Sequence, residues 1–401
     1  MSHSPKTRNT RVVSTLFVAL SILLLAAGAA GQHLSSSFNR PGNTLIADQF
    51  NNRVIEVDPD GNIVWHFGLG PADFSPASII GVNDAQRVGE LTLMAGTGTP
   101  GAQPEAPDCV DPTGCPDNRV LLVDRAGRIV WQYGQFGPGG AADGQLNTPV
   151  QTTWLPRGGR HKGDNEDSGE DHRIPRGHVL ITDQANERII EVNLTMKKPV
   201  WQYGTTGVIG SGPGFLSNPN CAELLENGHI LICDENNNQA LEVTHTTPSK
   251  IIHTYTIAGG MLFNGVAFAS RLPNGHTLIT DSGNARIVET DENGNVFWQY
   301  FTNTDPNSNA RCGGGTCTGP LPTRALRLKN GHTLISDQYN HRVIEVNHDM
   351  EIVRTFGKIN SLGYDTHSVA DGGLNSPYDA KRIGDYTGIT PPFDNDKDHN
   401  D

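Results

Sequence analysis

The sequence predicts an all-β protein, a six-bladed β-propeller of four-stranded antiparallel blades. The first observation is a repeated motif, clearest over Gly331–Val346 (GHTLISDQYNHRVIEV), which recurs in six copies about fifty residues apart. This period is that of a propeller blade rather than of a helical solenoid. The second observation is a turn-rich composition, with 46 Gly and 25 Pro. Since one blade cannot bury both its faces alone, the copies are expected to stack into one body.

Each copy contains two neighbouring antiparallel strands. A glycine turn leads into a short β-rich run, an Asp closes that run, and a second run follows a polar turn. The glycine supplies the positive φ angle that a tight hairpin needs. The other copies begin at Asn43, Gly177, Gly228 and Gly275, and a divergent copy is split between Leu91 and Asn118.

Two further strands flank this pair in each copy. The first precedes the glycine turn, and the fourth carries a Trp at one fixed place. A Trp that recurs once per blade predicts packing between neighbouring blades. The residues at this place, in chain order, are Trp65, Trp131, Trp201, His253, Trp298 and Arg354.

The two ends of the chain predict how the ring closes. The first copy starts at its second strand, Asn43–Asp48, whereas Gly372–Gly388 resembles a first strand with nothing after it. The C-terminal strand is therefore expected to complete blade 1 and to leave no open sheet edge.

The predicted domains are a signal peptide at 1–31, the propeller at 32–392 and an acidic disordered tail at 393–401. Basic residues precede an apolar run at 12–30 that ends in small residues, which is typical of a secretory signal. An uncleaved anchor is the alternative, and contact with a membrane is expected in that case alone. The protein is accordingly predicted to be secreted or periplasmic.

Charge and cysteine content agree with export. The formal net charge of −13 argues against nucleic acid as a partner, and we expect a monomer. The six cysteines fall into close couples, which predict three local disulfides and an oxidising compartment. The couples are Cys109 with Cys115, Cys221 with Cys233, and Cys312 with Cys317.

Insertions into the repeat predict the functional face. Three of them, at 97–116, 303–320 and 356–373, should emerge on one rim, because inter-blade connections and the turns between strands two and three share a face. A fourth, at 157–177, should emerge on the opposite face. Functional loops are expected on the rim that carries three insertions.

The repeat resembles that of the NHL-repeat β-propellers, which have an Asp, then Asn-x-Arg, then an apolar strand. The matching positions are Asp48/Asn51-Asn52-Arg53, Asp183/Asn186-Glu187-Arg188, Asp281/Asn284-Ala285-Arg286 and Asp337/Asn340-His341-Arg342. Gly61–Trp65 and Gly127–Trp131 also resemble the repeat of aryl-sulfotransferase-like propellers and, more weakly, of quinoprotein propellers. The resemblance implies the propeller fold. It does not imply one function, because the proteins of these families carry different functions on that fold.

Residues that recur once per blade are interpreted as framework. Each repeated Asp can accept hydrogen bonds from the amides of the following turn and can pair with the Arg of its copy. Four histidines follow the turn glycine and could in principle ring a metal. Asn43 takes the same place in the first copy, which favours a turn residue. These histidines are His178, His229, His276 and His332.

The starts of the first strands predict a ligand site, since these strands line the central channel and differ from blade to blade. Arg324 there would suit an anionic group. The alternative is a water-filled channel whose polar residues satisfy one another. The candidate ligand-binding residues are Gln151, Asn220, Asn264, Arg324, Tyr378 and Asp379.

The leading hypothesis is a ligand-binding or protein-interaction module that uses the rim and the channel mouth. Its expected ligand is a small anionic molecule, a glycan or another exported protein. The alternative is a metal-dependent lyase or lactonase-like hydrolase, or an aryl-sulfotransferase-like enzyme, with a divalent metal possible in the channel. Its candidate catalytic residues are Arg324, Asp379, His341 and His367. No inner strand contains a His, which counts against the sulfotransferase.

Overall fold

The computed structural model describes Met1 and residues 37–156, 174–309 and 319–385, with the backbone of 312–313, 316–317 and 389–390. All elements below belong to the compact unit of residues 34–401, and residues 1–33 form a separate unit. The predicted signal peptide beyond Met1, most of the fourth insertion and the acidic tail lie outside the described residues. Among the described residues, no helix has the length and apolar character needed to span a bilayer.

The structure confirms the predicted fold class, six antiparallel sheets of four blade strands each. From inner to outer strand, blade 1 consists of Pro377–Arg382, Thr44–Asp48, Arg53–Val57 and Ile63–Phe67. Blade 2 consists of Val82–Val88, Leu91–Gly96, Arg119–Asp124 and Ile129–Gly134. Blade 3 consists of Pro149–Leu155, His178–Asp183, Arg188–Asn193 and Lys198–Tyr203.

The second half of the ring repeats this order. Blade 4 consists of Pro219–Leu225, His229–Asp234, Gln239–Thr244 and Ile251–Tyr255. Blade 5 consists of Val266–Arg271, Thr277–Asp281, Arg286–Thr290 and Val296–Phe301. Blade 6 consists of Arg324–Arg327, Thr333–Asp337, Arg342–Val346 and Ile352–Gly357.

Shorter elements lie at the turns between the strands. Two hairpins pair Ile257–Ala258 with Met261–Leu262 and Cys312–Gly313 with Thr316–Cys317. One-turn 3-10 helices follow the second strand of five blades, at Gln49–Asn51, Gln184–Asn186, Glu235–Asn237, Ser282–Asn284 and Gln338–Asn340.

Both ends of the chain build blade 1. The C-terminal strand Pro377–Arg382 pairs antiparallel with Thr44–Asp48, with Ala380 opposite Ile46. The predicted closure of the ring is thereby confirmed. Beyond it, Ile389–Thr390 pairs parallel with the end of the inner strand of blade 4. This fifth strand of blade 4 was not predicted.

The repeated Asp joins the turn of its own blade to the connection that enters that blade. In blade 1, Asp48 accepts hydrogen bonds from Asn51 (2.8 Å) and Arg53 (2.8 Å) at Oδ2 and from the backbone N–H of Asn375 (2.8 Å) at Oδ1. The sequence pattern predicts an amide of the following turn, and this prediction is wrong, because the amide comes from the preceding inter-blade connection. Blades 3, 4 and 5 repeat the contact, with amides donated by Asn147, Ser217 and Asn264.

Blade 2 keeps this arrangement although its sequence diverges. Gly96 stands where other blades have the Asp. A Cβ atom at this position would lie 2.4 Å from Asp117 Oδ2, so any side chain there would collide with Asp117. Asp117, which follows the insertion, fills that space, accepts the backbone N–H of Ile80 (2.8 Å) and pairs with Arg119. The framework carboxylate has thus moved along the chain while keeping its place in space.

The recurring Trp packs against the next blade, as predicted. Each indole Nε1–H donates to a backbone carbonyl there, for example Trp131 to Leu194 (2.8 Å) and Trp298 to His348 (3.0 Å). The buried indoles belong to the apolar clusters between blades, which satisfies both their large apolar area and their one donor.

A glutamate on the third strand links each of four blades to an arginine of the next. The pairs are Glu56–Arg87, Glu242–Arg271, Glu289–Arg327 and Glu345–Arg382, at 2.6 to 2.9 Å. At the interface of blades 2 and 3, Leu122 belongs to an apolar cluster against which Trp154 packs. At the interface of blades 3 and 4, His245 takes the place of the arginine and contacts Glu191 (2.5 Å).

The four recurring histidines bind these same glutamates. His229, His276 and His332 place Nδ1 at 2.6, 2.9 and 2.7 Å from the carboxylate on the third strand of their own blade. His178 contacts Glu191 in the same way. Within the described part of the chain, no three His, Cys, Asp or Glu residues form a group that could hold a metal ion.

Two predicted disulfides are present. Cys109 is bonded to Cys115 within the insertion of blade 2, and Cys221 to Cys233 between adjacent strands of blade 4. The backbones of Cys312 and Cys317 lie opposite each other in a hairpin, while their side chains lie outside the described residues.

We expect a chain that ends at residue 360 to lose its cooperative fold. It lacks the inner strand of blade 1, so the edge at Thr44–Asp48 is unpaired and the apolar faces of two neighbouring blades are uncovered. Thermal melting followed by circular dichroism measures this. A chain ending at residue 392 keeps every described strand and should melt like the full chain. A soluble, cooperatively melting protein that lacks residues 361–401 would contradict the prediction.

We also expect Glu191 to make stability depend on acid pH. Burial raises the pKa of its carboxyl, but hydrogen bonds from His178 and His245 outweigh burial and lower the pKa from 4.5 to about 2. A lowered pKa stabilises the fold above pH 4.5, and this contribution, roughly 3 kcal/mol, is lost as the pH falls towards 2.

Urea unfolding between pH 6 and pH 3 tests this pH dependence. The free-energy difference between the unsubstituted protein and Glu191→Gln should shrink as the pH falls, while a substitution of the exposed Glu226 to Gln should show no such trend. A difference that stays constant over this range would refute the assignment.

Candidate functional site

The turns between strands two and three and the inter-blade connections form one face, which we call the rim. In five blades, an Asn of the turn donates to a carbonyl of the connection that enters the blade. These pairs are Asn51 with Gly363, Asn186 with Gly140, Asn237 with Gly210, Asn284 with Leu262 and Asn340 with Thr302.

The three predicted rim insertions contact these turns. Asn375 donates to the carbonyl of Glu105 in the first insertion (2.7 Å), and Ala106 packs against Phe50 and Tyr339. Asn309 in the second insertion donates to the carbonyl of Tyr339 (2.8 Å). Gly363, in the third, accepts from the turn of blade 1, so the described parts of all three lie on the rim.

At the channel mouth, two predicted ligand residues bind each other from opposite blades. The hydroxyl of Tyr378 in blade 1 accepts from Asn220 Nδ2 (2.9 Å) and donates to its Oδ1 (3.1 Å) in blade 4. Asn220 also donates to Glu235 (2.9 Å). Burial raises the pKa of the Glu235 carboxyl to about 7, although hydrogen bonds from Asn220 and Asn218 lower it. Burial, followed by the Glu235 charge, raises the pKa of Tyr378.

Deeper in the channel, four buried charged groups from blades 6, 1 and 2 meet, and we call them the channel cluster. They are Arg324, Asp379, Lys381 and Asp84, each at most 5% exposed. Lys381 Nζ lies 2.6 Å from Asp84 and 2.6 Å from Asp379. Arg324 is less tightly paired, with Nη2 3.4 Å from Asp84 and Nε 3.3 Å from Asp379.

The electrostatics of the channel cluster follow from this geometry. The pKa of Asp84 is raised to about 6, because burial and the charge of Asp379 outweigh the lowering effects of Lys381 and Arg324. Burial lowers the pKa of Arg324, but the charges of Asp379 and Asp84 outweigh it and raise the pKa overall. The lysine ammonium lies between two carboxylates, the place that a divalent cation would take in a carboxylate site.

Side chains of the cluster also bind the inner backbone edges of the next blades. Asp379 accepts the N–H of Ala85 (3.2 Å) and Asp84 accepts the N–H of Thr152 (3.1 Å). Gln151 continues the series with the N–H of Ala222 (2.9 Å). Asp379, Asp84 and Gln151 therefore each accept a hydrogen bond from a backbone N–H that the inner strand of the next blade would otherwise leave unpaired.

The other predicted residues lie apart from this cluster. Asn264 is exposed in the connection to blade 5. His341 is buried in the turn of blade 6, where Nδ1 accepts the backbone N–H of Ser376 (3.1 Å). Asn52 fills the equivalent place in blade 1 and accepts the N–H of Gly81 (2.9 Å). The side chain of His367 is 92% exposed, 3.9 Å from Asp365.

Sequence reasoning missed Asp84 and Lys381. Asp84 occupies the same inner-strand position as Gln151 and Asp379, but Val82 replaces the Pro that marked the other strand starts. Lys381 lies two residues after Asp379 on the same strand, so the alternation of side chains along a strand was the available signal.

Among the described residues, the rim exposes large apolar side chains on five of the six inter-blade connections. They are Leu69 after blade 1, Phe136 after blade 2, Ile209 after blade 3, Leu262 after blade 4 and Leu362 after blade 6. Ile209 and Leu262 are the most exposed of the five, at 71% and 69%.

No family model and no curated protein matches the chain. Among solved structures, a protein of unknown function from Bacteroides caccae is similar, with a TM-score of 0.48, 13% identity, and coverage of 80% of this chain and 97% of that chain. Virginiamycin B lyase from Staphylococcus aureus is similar with a TM-score of 0.39 and 13% identity, and the match covers 78% of this chain and 73% of that chain. The WD40 β-propeller domain of Doa1 is similar with a TM-score of 0.42 and 12% identity, and the match covers 80% of this chain and 87% of that chain.

We expect Lys381→Met to destabilise the protein by about 3–5 kcal/mol, because it leaves two buried carboxylates without their shared partner. Urea unfolding at pH 7 measures the loss. Lys250→Met, which changes an exposed lysine, is the matched control and should change the free energy of unfolding by less than about 0.5 kcal/mol. Equal effects of the two substitutions would contradict the pairing.

Proposed function

We propose that this protein is an exported interaction module that binds another exported protein through its rim. The observation that carries the proposal is the presence of exposed apolar side chains on five of the six inter-blade connections. Exposed apolar side chains cost solubility, and several of them on one face are typical of surfaces that bind partners. The rim is built on rigid turns held by the Asp–Asn–Arg contacts, so a partner would bind without a large loss of loop entropy.

Export is supported by the two disulfides and by the sequence pattern of residues 1–31. Cys109–Cys115 fastens the largest described insertion of the rim, and Cys221–Cys233 joins two strands of blade 4. Such bonds persist in oxidising compartments. The proposal therefore places the interaction in the periplasm or outside the cell.

The enzyme alternative has less support from the geometry. Its four candidate catalytic residues do not form one group, because Arg324 and Asp379 are buried in the channel cluster while His367 is exposed. His341 holds a backbone amide, a role that Asn52 fills in blade 1. Acid–base chemistry needs groups that converge on one substrate atom.

We expect the double substitution Leu262→Ser, Ile209→Ser to weaken partner binding at least about tenfold. Apolar anchors of this kind contribute on the order of 1–2 kcal/mol each to a protein interface. The measurement is saturable capture of exported proteins of the same organism on the immobilised purified protein, followed by titration of the captured protein.

The matched control is Val200→Ser, Val353→Ser, which removes exposed apolar side chains from the outer strands of blades 3 and 6. It should leave binding unchanged. The proposal would be overturned if both double substitutions weakened partner binding equally, or if neither of them reduced the capture of the partner. Circular dichroism melting of both variants checks that the fold is retained.

A further inference from the structure

The channel cluster contains buried polar atoms that its own residues do not satisfy. Within the described residues, Arg324 Nε and Nη1, Asp379 Oδ1 and Ser336 Oγ have no hydrogen-bond partner. All three side chains are at most 1% exposed. Unsatisfied buried polar atoms are rare in folded proteins and costly, more so for a charged group. Arg324 Nε and Asp379 Oδ1 are the two ends of one ion pair of 3.3 Å, so Arg324 Nη1 is the donor of this charged group that the fold leaves without a partner.

These atoms belong to one local arrangement. Ser336 lies directly opposite Arg324 in the pairing of the inner and second strands of blade 6, so their side chains point to the same side of the sheet. The Arg324 guanidinium also lies against the ring of Phe268, with Cζ 4.4 Å from the ring centroid. One face of the guanidinium is thus covered by an aromatic ring, while N–H groups at its edge are unused.

The pairing of charges leaves Arg324 as the available cation. Lys381 contacts both carboxylates at 2.6 Å, so each acid already has a close partner. Arg324 makes one long hydrogen bond, from Nη2 to Asp84 at 3.4 Å, and its 3.3 Å ion pair with Asp379 does not have hydrogen-bond geometry. A guanidinium presents a planar fork of donors that matches a carboxylate.

We propose that the channel binds a small carboxylate anion on Arg324, with Ser336 donating to the same ligand and Phe268 covering the guanidinium. The site is closed to bulk solvent, since Arg324, Asp379 and Ser336 are each at most 1% exposed, so formate and acetate, as small carboxylates, are suitable probes of it. Binding at this site is separate from the rim and does not require a partner protein.

The charge of the cluster predicts that a proton accompanies the anion. Within the channel cluster Asp84 and Asp379 balance Lys381 and Arg324, and Glu223 lies near Arg324, so an added anion would add a buried negative charge, which is costly. The charged or titratable groups around Arg324 are Asp84, Asp379, Lys381, Tyr378 and Glu223. Asp84 has the pKa, about 6, that lets it take up the proton near neutral pH. Anion binding should therefore tighten as the pH falls from 8 to 6, by up to about tenfold per pH unit.

The experiment titrates the full purified protein with sodium formate, sodium acetate, sodium phosphate and sodium chloride at constant ionic strength. The readouts are the melting temperature and saturation-transfer NMR of the formate proton. Saturable binding of formate and acetate at pH 6, weaker at pH 8, is the expected result. Equal effects of all four salts, or no saturation transfer to formate, would overturn the proposal.

Three substitutions identify the site. Arg324→Gln should abolish formate binding, and Ser336→Ala, which removes one unsatisfied hydroxyl from the fold, should weaken it several-fold while the protein stays folded. Arg327→Gln is the matched control, because Arg327 lies on the same strand and pairs with Glu289 (2.9 Å). It should retain formate binding. If Arg324→Gln does not fold, unchanged binding by Ser336→Ala is sufficient to refute the site.

Discussion

The pairing of Pro377–Arg382 with Thr44–Asp48 is the interaction on which the rest of this structure depends. Each blade has two apolar faces, and a ring is the arrangement in which every face finds a neighbour. In five blades the four blade strands follow one another along the chain. Blade 1 is different, because its inner strand comes from the C-terminal part of the chain, and this is the closing joint of the ring. Strand pairing there covers the otherwise open edge of Thr44–Asp48 and brings the N-terminal and C-terminal strands of the ring into one sheet.

Polar contacts reinforce this ring in three places, which are the outer part of the blades, the rim and the channel. Near the outside, the tryptophan indoles donate to carbonyls of the next blade, and glutamates on the third strands pair with arginines or a histidine across the interfaces. On the rim, the repeated Asp of blades 1, 3, 4 and 5, and Asp117 in blade 2, accept a backbone amide from the connection that enters the blade. In the channel, Asp379, Asp84 and Gln151 bind backbone amides of the following blades. Every blade interface thus combines an apolar contact with directional hydrogen bonds.

The channel cluster lies beside the closing joint and connects blades 6, 1 and 2. Buried charge pairs often contribute little net stability, but leaving one member without a partner is expensive. Lys381 fulfils the pairing requirement of both acids, and Arg324 keeps donors that the fold does not use. The cluster therefore combines a structural part, centred on Lys381, with a part centred on Arg324 that is available for a ligand.

The sequence by itself determined the fold class, the number of blades, the closing strand and two disulfides. These follow from local rules, since hairpin glycines, strand alternation and the recurrence of Asp and Trp are visible along the chain. It did not reveal that Asp117 replaces the framework Asp of blade 2, because the insertion separates the two positions in sequence and only the folded blade reunites them. Tertiary structure also decided the site, because side chains from three blades meet in the channel. Asp84, Arg324 and Lys381 are separated by 57 to 297 residues, and their distances depend on how the ring closes rather than on any local pattern.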